Sequence, residues 1–291
     1  MPVRPATRRD IPIMAQVMAA SFGPDPLFQV FFPLQKKYWS DFEGAIRDNM
    51  WLAWYDYTKV LMVSYSDSDD DDDDDSVPRP SLPSSECKAA AVDQDTALLR
   101  PPPSKRERIT GVAEWERTGR GWQWIHGAWG AWDPRLLVRP VLAFFYRLRR
   151  RVVGNRAAAI SAFSLRENTT GPPPLTLWNF EEQVGPYISQ FFSAPHRQTR
   201  WSLNNLAVHP NEQGKGYGRE LVAGGFERLT KNDAEGELPV SVIAADGKET
   251  FYAKMGFTEL VGWASKTVGE DGSDNPMRRN GVPGGAVLWT R

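Results

Sequence analysis

Apolar positions along this chain recur with two periods, and their boundaries divide it into strand and helix units. Val3-Arg4-Pro5-Ala6 predicts a short first strand, and Ile13, Met14, Val17 and Met18 then mark one side of a helix. Asp10 is placed to accept from the first-turn N–H groups of that helix, and Pro12 is tolerated there. Pro24 and Pro26 break the pattern before a second helix over residues 38–50 and a strand over residues 59–65. Residues 108–116 alternate strictly, with Val112, Glu114 and Glu116 on one face and Gly111, Ala113 and Trp115 on the other. Residues 134–153 form a helical pattern carrying Leu136, Leu137, Val141, Leu142, Phe144, Phe145 and Leu148 and ending in Arg147, Arg149, Arg150 and Arg151, which suits the negative helix terminus. Residues 180–192 follow beyond a proline-rich loop.

The last third repeats a strand–turn–helix theme. Leu206, Ala207 and Val208 form a short apolar run that Pro210 stops. Gly214, Gly216 and Gly218 leave the next backbone free to bend, and Leu221, Val222, Gly225, Phe226 and Leu229 lie on one helical face. Residues 239–245 read as a buried strand, 249–257 as a short helix, 266–281 as a polar hairpin loop and 284–290 as a closing strand.

Two segments stand apart. Asp69 to Asp75 is an unbroken acidic tract followed by prolines at 78, 80, 83 and 101–103, so residues 66–108 are expected to be a disordered loop joining two strands of one sheet. An inert spacer is the favoured reading of that loop, with recruitment of a basic partner as the alternative. Residues 118–200 form a Trp-rich and helical insertion, in which the 134–153 helix is expected to pack over the core; membrane association is the less favoured role for it.

Composition narrows the classes. The 291 residues are 41% hydrophobic with 12 tryptophans, enough for a sizeable core, and the organisation expected is one domain over residues 1–291. A net charge of −1 gives no pull toward nucleic acid. The single Cys87 excludes an internal disulfide, and with His126, His196 and His209 scattered no metal-ligand cluster is expected. Residues 1–5 lack the apolar core of a signal peptide, and no apolar run approaches the roughly 20 residues of a membrane span, so a cytoplasmic or nuclear location is expected.

A strand, a glycine-spaced turn and a helix start together make an anion site, because the first N–H groups of a helix lack partners and carry partial positive charge. The spacing is neither a P-loop nor the dinucleotide GxGxxG. Gln213-Gly214-Lys215-Gly216-Tyr217-Gly218 after Leu206-Ala207-Val208-His209-Pro210 instead resembles the pyrophosphate loop of the GNAT superfamily of acetyl-CoA-dependent N-acetyltransferases, in a fungal-type member with long insertions. Phe251-Tyr252-Ala253-Lys254-Met255-Gly256-Phe257 resembles the superfamily's second signature. The resemblance implies an α/β (α+β) GNAT fold: a mixed central sheet flanked by helices, with residues 201–291 as the acetyl-CoA-binding core.

It also implies roles. Backbone groups of Leu206, Ala207 and Val208 would pair with the pantetheine arm of acetyl-CoA, and N–H groups of Gln213, Gly214, Lys215, Gly216, Tyr217 and Gly218 would hold its pyrophosphate. Tyr252 matches the tyrosine that protonates the departing thiolate, and Glu114, ahead of Glu116, is the expected base. Phe28, Phe31 and Phe32 are expected either to line the acceptor cleft or to be core. A small-molecule amine is the expected acceptor, acetyl-CoA the only co-substrate and no metal the rule. The competing reading is a catalytically silent acyl-CoA-binding scaffold of the same fold. Asp246 and Lys248 stand where relatives carry an asparagine that orders the pantetheine, a departure from the pattern.

Overall fold

The computed structural model describes residues 2–67, 107–121, 134–161, 173–231, 233, 235–269 and 272–290. Met1–Tyr65 and Ile109–Arg291 make up one unit, and Ser66–Arg108 make up another. The acidic tract and the four tryptophans of 122–132 lie outside the described residues.

Described strands form one mixed sheet: β1 (Val3–Pro5), β2 (Lys59–Asp67), β3 (Glu107–Thr118), β4 (Arg200–Val208), β5 (Val240–Ala244), β6 (Glu259–Trp263) and β7 (Ala286–Trp289), in the order β1-β2-β3-β4-β5-β7-β6. The β4–β5 pair is parallel; β1–β2, β3–β4, β5–β7 and β6–β7 are antiparallel. A parallel pair needs a crossover, and the amphipathic 217–225 segment supplies it.

Strand alternation sorts side chains between two cores. Leu61, Val63 and Val112 pack with buried residues of α1 (Ile11–Phe22), α2 (Pro26–Phe31) and α3 (Trp39–Trp54). Met62, Ala113 and Trp115 point the other way, toward Leu221 and Val222 of α6 (Tyr217–Gly225) and Tyr252 of α7 (Glu249–Lys254). A Cβ at Gly225 would lie 2.1 Å from the Trp115 ring, so the missing side chain is what lets α6 close onto β3. Phe31 and Phe32 are buried in the first core, which decides that pair as packing residues.

The first core extends into the insertion between β3 and β4, which holds α4 (Arg135–Val153) and α5 (Phe180–Ile188). Phe31 meets Phe180 edge-on at 5.5 Å, Phe32 meets Trp178 at 5.8 Å, and Leu34 N–H donates to the Ala157 carbonyl at 3.0 Å. Residues 155–161 and 173–188 thereby pack against the α1–α3 face.

Two local expectations are corrected. Asp10 gives no side-chain cap to α1; its carboxylate turns back to the Thr7 N–H (2.6 Å) and Arg4 Nη1 (2.7 Å). That choice satisfies a guanidinium and pins β1 to the helix. The 24–32 stretch is not merely a break, because Asp25 accepts from Leu27 N–H at 2.8 Å and Pro26 fits the first turn, so α2 forms. The polar 266–281 stretch adds a one-turn helix, α8 (Pro276–Arg279), capped by Asn275.

Arg117, with a fully buried side chain, is neutralised by Asp233 at 2.7 Å, which also accepts from Trp201 Nε1 at 2.9 Å. Burial raises the Asp233 pKa, but the hydrogen bonds from Arg117, the Glu235 N–H and Trp201 outweigh it and hold the group below the usual carboxylate range. A depressed folded-state pKa contributes stability that is present above the unfolded value, near ~3.9, and is lost as pH falls through the folded one. Asp233→Ala should therefore cost about 3–5 kcal/mol near neutral pH, because it strands a buried cation, and the deficit relative to wild type should shrink below about pH 4 in urea titrations.

Candidate functional site

The parting of β4 from β5 begins with one extra residue. Glu114 pairs with Asn205 and Trp115 with Leu203, which leaves Asn204 as a bulge on β4. The bulge flips the alternation: Trp201 and Leu203 face the α6 side, and beyond it Leu206 does, while Ala207 joins the α1–α3 core. The β4–β5 ladder runs from Trp201↔Val240 to Leu203↔Val242 and ends there, although both strands continue.

Ladder alternation decides what the open edge offers. His209 N–H donates to the Thr110 carbonyl at 2.9 Å, so Ala207 and Asn205 aim their backbone groups at β3. Leu206 and Val208 then present N–H and C=O to the gap. The Val208 carbonyl is met by Gln213 Nε2 at 3.1 Å, which ties the following loop to the strand. Beside the gap, Ile243 is 40% exposed on an otherwise buried strand.

The loop is wound by glycine. Gly214 and Gly216 hold φ of +80° and +95°, the left-handed region that side chains disfavour, and Gly216 is the residue from which α6 starts. His209 Nδ1 accepts from Asn211 N–H at 3.3 Å, and Lys215 Nζ sits 2.9 Å from Glu212. His209 thus acts as a turn cap. Gly218 differs from the other two: its φ is ordinary, and an added Cβ would find only contacts of 3.6 Å and longer. Nothing in the protein's own packing demands glycine there.

On the α1–α3 face, the bulge holds a compact polar cluster. Glu114 is 1% exposed; Lys59 Nζ donates to Oε1 at 2.6 Å and Asn205 Nδ2 to Oε2 at 2.7 Å. Glu116, with its side chain one-third exposed, accepts from Asn204 Nδ2 at 2.5 Å and lies 3.8 Å from Lys59. Burial works against the Lys59 ammonium, but the charges of Glu114 and Glu116 and the Glu114 hydrogen bond outweigh it and raise its pKa. On the opposite face, Tyr252 packs edge-on against Phe251 and Phe257, and burial raises its phenol pKa.

Residues 178–259 match the family model described as the acetyltransferase (GNAT) domain, a span that runs from α5 to β6 and includes bulge, gap and loop. The chain carries a GNAT acetyltransferase domain. Its sheet order, its bulged β4 and its glycine-started α6 are the structural counterpart of that match, and acyl transfer is the chemistry of the family. Among solved structures it is similar to a histone acetyltransferase HPA2 and related acetyltransferase from Corynebacterium glutamicum (16% identity, 99% of this chain, 94% of that one, TM-score 0.44). It is also similar to a mosquito arylalkylamine N-acetyltransferase like 5b (10%, 99% and 97%, 0.39) and to the C-terminal condensation domain of Ebony in complex with beta-alanyl-dopamine (12%, 99% and 97%, 0.40). No curated protein matches the chain in sequence.

The GNAT site brings together some of the residues singled out in the sequence and separates others. Leu206, Val208 and the 213–218 turn border one gap. Glu114 and Tyr252 stand on opposite faces of the sheet, and Glu114 has both oxygens engaged. Sequence reasoning missed Lys59, Asn204, Asn205 and Ile243. The adjacent asparagines interrupt the period of two in Trp201-Ser202-Leu203-Asn204-Asn205-Leu206, and that interruption is the legible mark of a bulge.

The GNAT domain's fit to an acyl-CoA rests on these observations: two outward N–H groups, a helix start wound by left-handed glycines, and a third glycine without an internal reason. Gly218→Ala should leave thermal stability equal or higher, since glycine in a helix costs roughly 0.5–1 kcal/mol. The same variant should weaken acetyl-CoA binding on the order of tenfold, about 1.4 kcal/mol by calorimetry. Unchanged affinity would remove Gly218 from the site.

Proposed function

We propose that this GNAT domain moves the acetyl group of acetyl-CoA to the amine of a small molecule. The observation that carries the reading is the gap between β4 and β5, where a strand edge with outward N–H groups meets the glycine-wound start of α6. Acetyl-CoA supplies an activated acyl group as a thioester. Leu206 and Val208 would pair with the pantetheine arm as an added strand does, and one of those N–H groups would polarise the thioester oxygen. The N–H groups from Gln213 to Gly218 would hold the pyrophosphate at the positive end of α6.

An alkyl amine has a pKa near ~10.4, so only on the order of one in a thousand is neutral at pH 7 and a base is needed. Glu114 and Glu116 both face the acceptor side. Glu114 is sealed by Lys59 and Asn205, and a carboxylate that already accepts from an ammonium is a poor proton acceptor. Glu116 keeps one-third of its side chain in solvent and is the better base of the two, with Lys59–Glu114 as its fixed support. Tyr252 is the acid toward the thiolate: burial keeps its proton on at neutral pH.

A small acceptor is favoured because residues 155–161 and 173–188 pack over the α1–α3 face. The Arg156–Asp41 pair at 2.8 Å, the Phe180–Phe31 contact and the hydrogen bond from Leu34 N–H to the Ala157 carbonyl fasten that cover where an extended peptide would need open groove. A silent acyl-CoA-binding scaffold would share the gap and the loop, and turnover separates the two.

Release of free CoA thiol across an amine panel tests the proposal, and binding of acetyl-CoA without release for any amine would assign the scaffold role. Tyr252→Phe should lower kcat about 100-fold or more with little change in acetyl-CoA KM. Glu116→Gln should do likewise. With the phenol pKa raised, activity should not decline on the alkaline side until beyond about pH 10. A fall near neutral pH would exclude Tyr252 as the acid.

A further inference from the structure

Apolar residues occupy much of the circumference of α4, and the structure turns one set of them outward. Leu137, Val141, Phe144, Phe145, Leu148 and Val152 are between 44% and 76% exposed, and no residue of α4 is fully buried. At 100° per residue they occupy a single arc of about 100° that runs about 24 Å along the helix.

The side facing the protein is mixed: Leu136, Val138, Leu142, Ala143 and Tyr146 are half-buried there, beside arginine contacts. Arg139 pairs with Asp56 at 2.9 Å, Arg149 pairs with Asp48, and Arg150 lies over the Trp178 ring at 4.2 Å. Burial lowers the Arg150 pKa, and the neighbouring Arg147 charge adds to it. The helix is therefore held by apolar and charged contacts on one side, with the exposed greasy stripe left over on the other. Arg147 and Arg151 border one edge of that stripe, and Arg149 borders the other. In all, α4 carries six arginines and no acidic residue.

We propose that α4 docks this protein on an anionic lipid surface, lying in the interface with Phe144 and Phe145 inserted and the bordering arginines among headgroups. Charge decides between the occupants. A second copy would bring the bordering Arg147, Arg149 and Arg151 against their own counterparts, whereas anionic lipid complements them. Shape agrees, because the stripe is a ridge on one helix, suited to insertion between acyl chains, and among the described residues it has no walls of a groove that would take up a peptide. No helix among the described residues is long and apolar enough to cross a membrane, so the contact is peripheral. The inference stands apart from the acyl-transfer reading, since none of these side chains belongs to the GNAT site.

Co-sedimentation of the full chain with phosphatidylcholine vesicles, with and without phosphatidylserine, tests it. Wild type should pellet with the anionic vesicles, stay in solution with the neutral ones, and release at high salt. Phe144→Glu/Phe145→Glu should cut the bound fraction about tenfold or more while acetyl-CoA still shifts the melting temperature as in wild type. Arg147→Glu/Arg151→Glu should abolish the preference for anionic vesicles without touching the apolar stripe. Absence of wild-type binding, or equal binding by Phe144→Glu/Phe145→Glu, overturns the proposal. So does a concentration-dependent dimer that Phe144→Glu/Phe145→Glu dissolves, since the stripe would then cover a second copy.

Discussion

A backbone edge cannot be both paired to a neighbouring strand and available to a ligand, and the site depends on how β4 resolves that conflict. One extra residue at Asn204 breaks the register with β3 and ends the parallel ladder at Leu203. Upstream, Trp201 and Leu203 bind β5 and anchor the sheet. Downstream, the half-buried Leu206 and Val208 turn toward the gap backbone groups that the β5 ladder no longer pairs. The edge is in this sense a standing demand for a partner. The loop that follows is tied to the same strand through Gln213 and the Val208 carbonyl, so the anion site and the open edge keep a fixed relation.

The polar cluster beneath the bulge explains how so irregular a strand is held. A buried Glu114 without a counter-charge would strain the core, but Lys59 and Asn205 take both of its oxygens, and Asn204 reaches Glu116. Five side chains from three strands thus brace the bulge from one face, while Trp115 packed against Gly225 braces it from the other. Buried ion pairs contribute little net stability but penalise any rearrangement that separates them. Here that penalty falls on closing the gap, since a regular β4 would carry Asn205 away from Glu114.

Much of this was legible beforehand, for reasons that differ by residue. The strand–glycine turn–α6 unit shows itself because left-handed backbone at 214 and 216 leaves glycine little alternative, and because Pro210 must end a strand. The buried strands show themselves by alternation. Glu114 was a natural base by position on β3, yet its partners come from β2 and β4, and sequence spacing says nothing of such cross-strand contacts. Asp10 was misread as a cap because Arg4 and Thr7 compete for the same carboxylate. Which apolar residues of α4 turn inward was not legible: periodicity locates apolar positions around most of that helix, and Asp48, Asp56 and Trp178 meet its arginines from other elements.

Amide hydrogen exchange, followed at single residues with and without acetyl-CoA, tests the account where it is most exposed. Leu206 and Val208 should exchange freely in the protein alone, faster than Ala207, which is bonded to β3, and should become protected together with the 214–218 amides when acetyl-CoA is added. Protection of Leu206 and Val208 in the protein alone, or exchange that acetyl-CoA leaves unaltered, would contradict the reading of the β4 edge as the cofactor's binding strand.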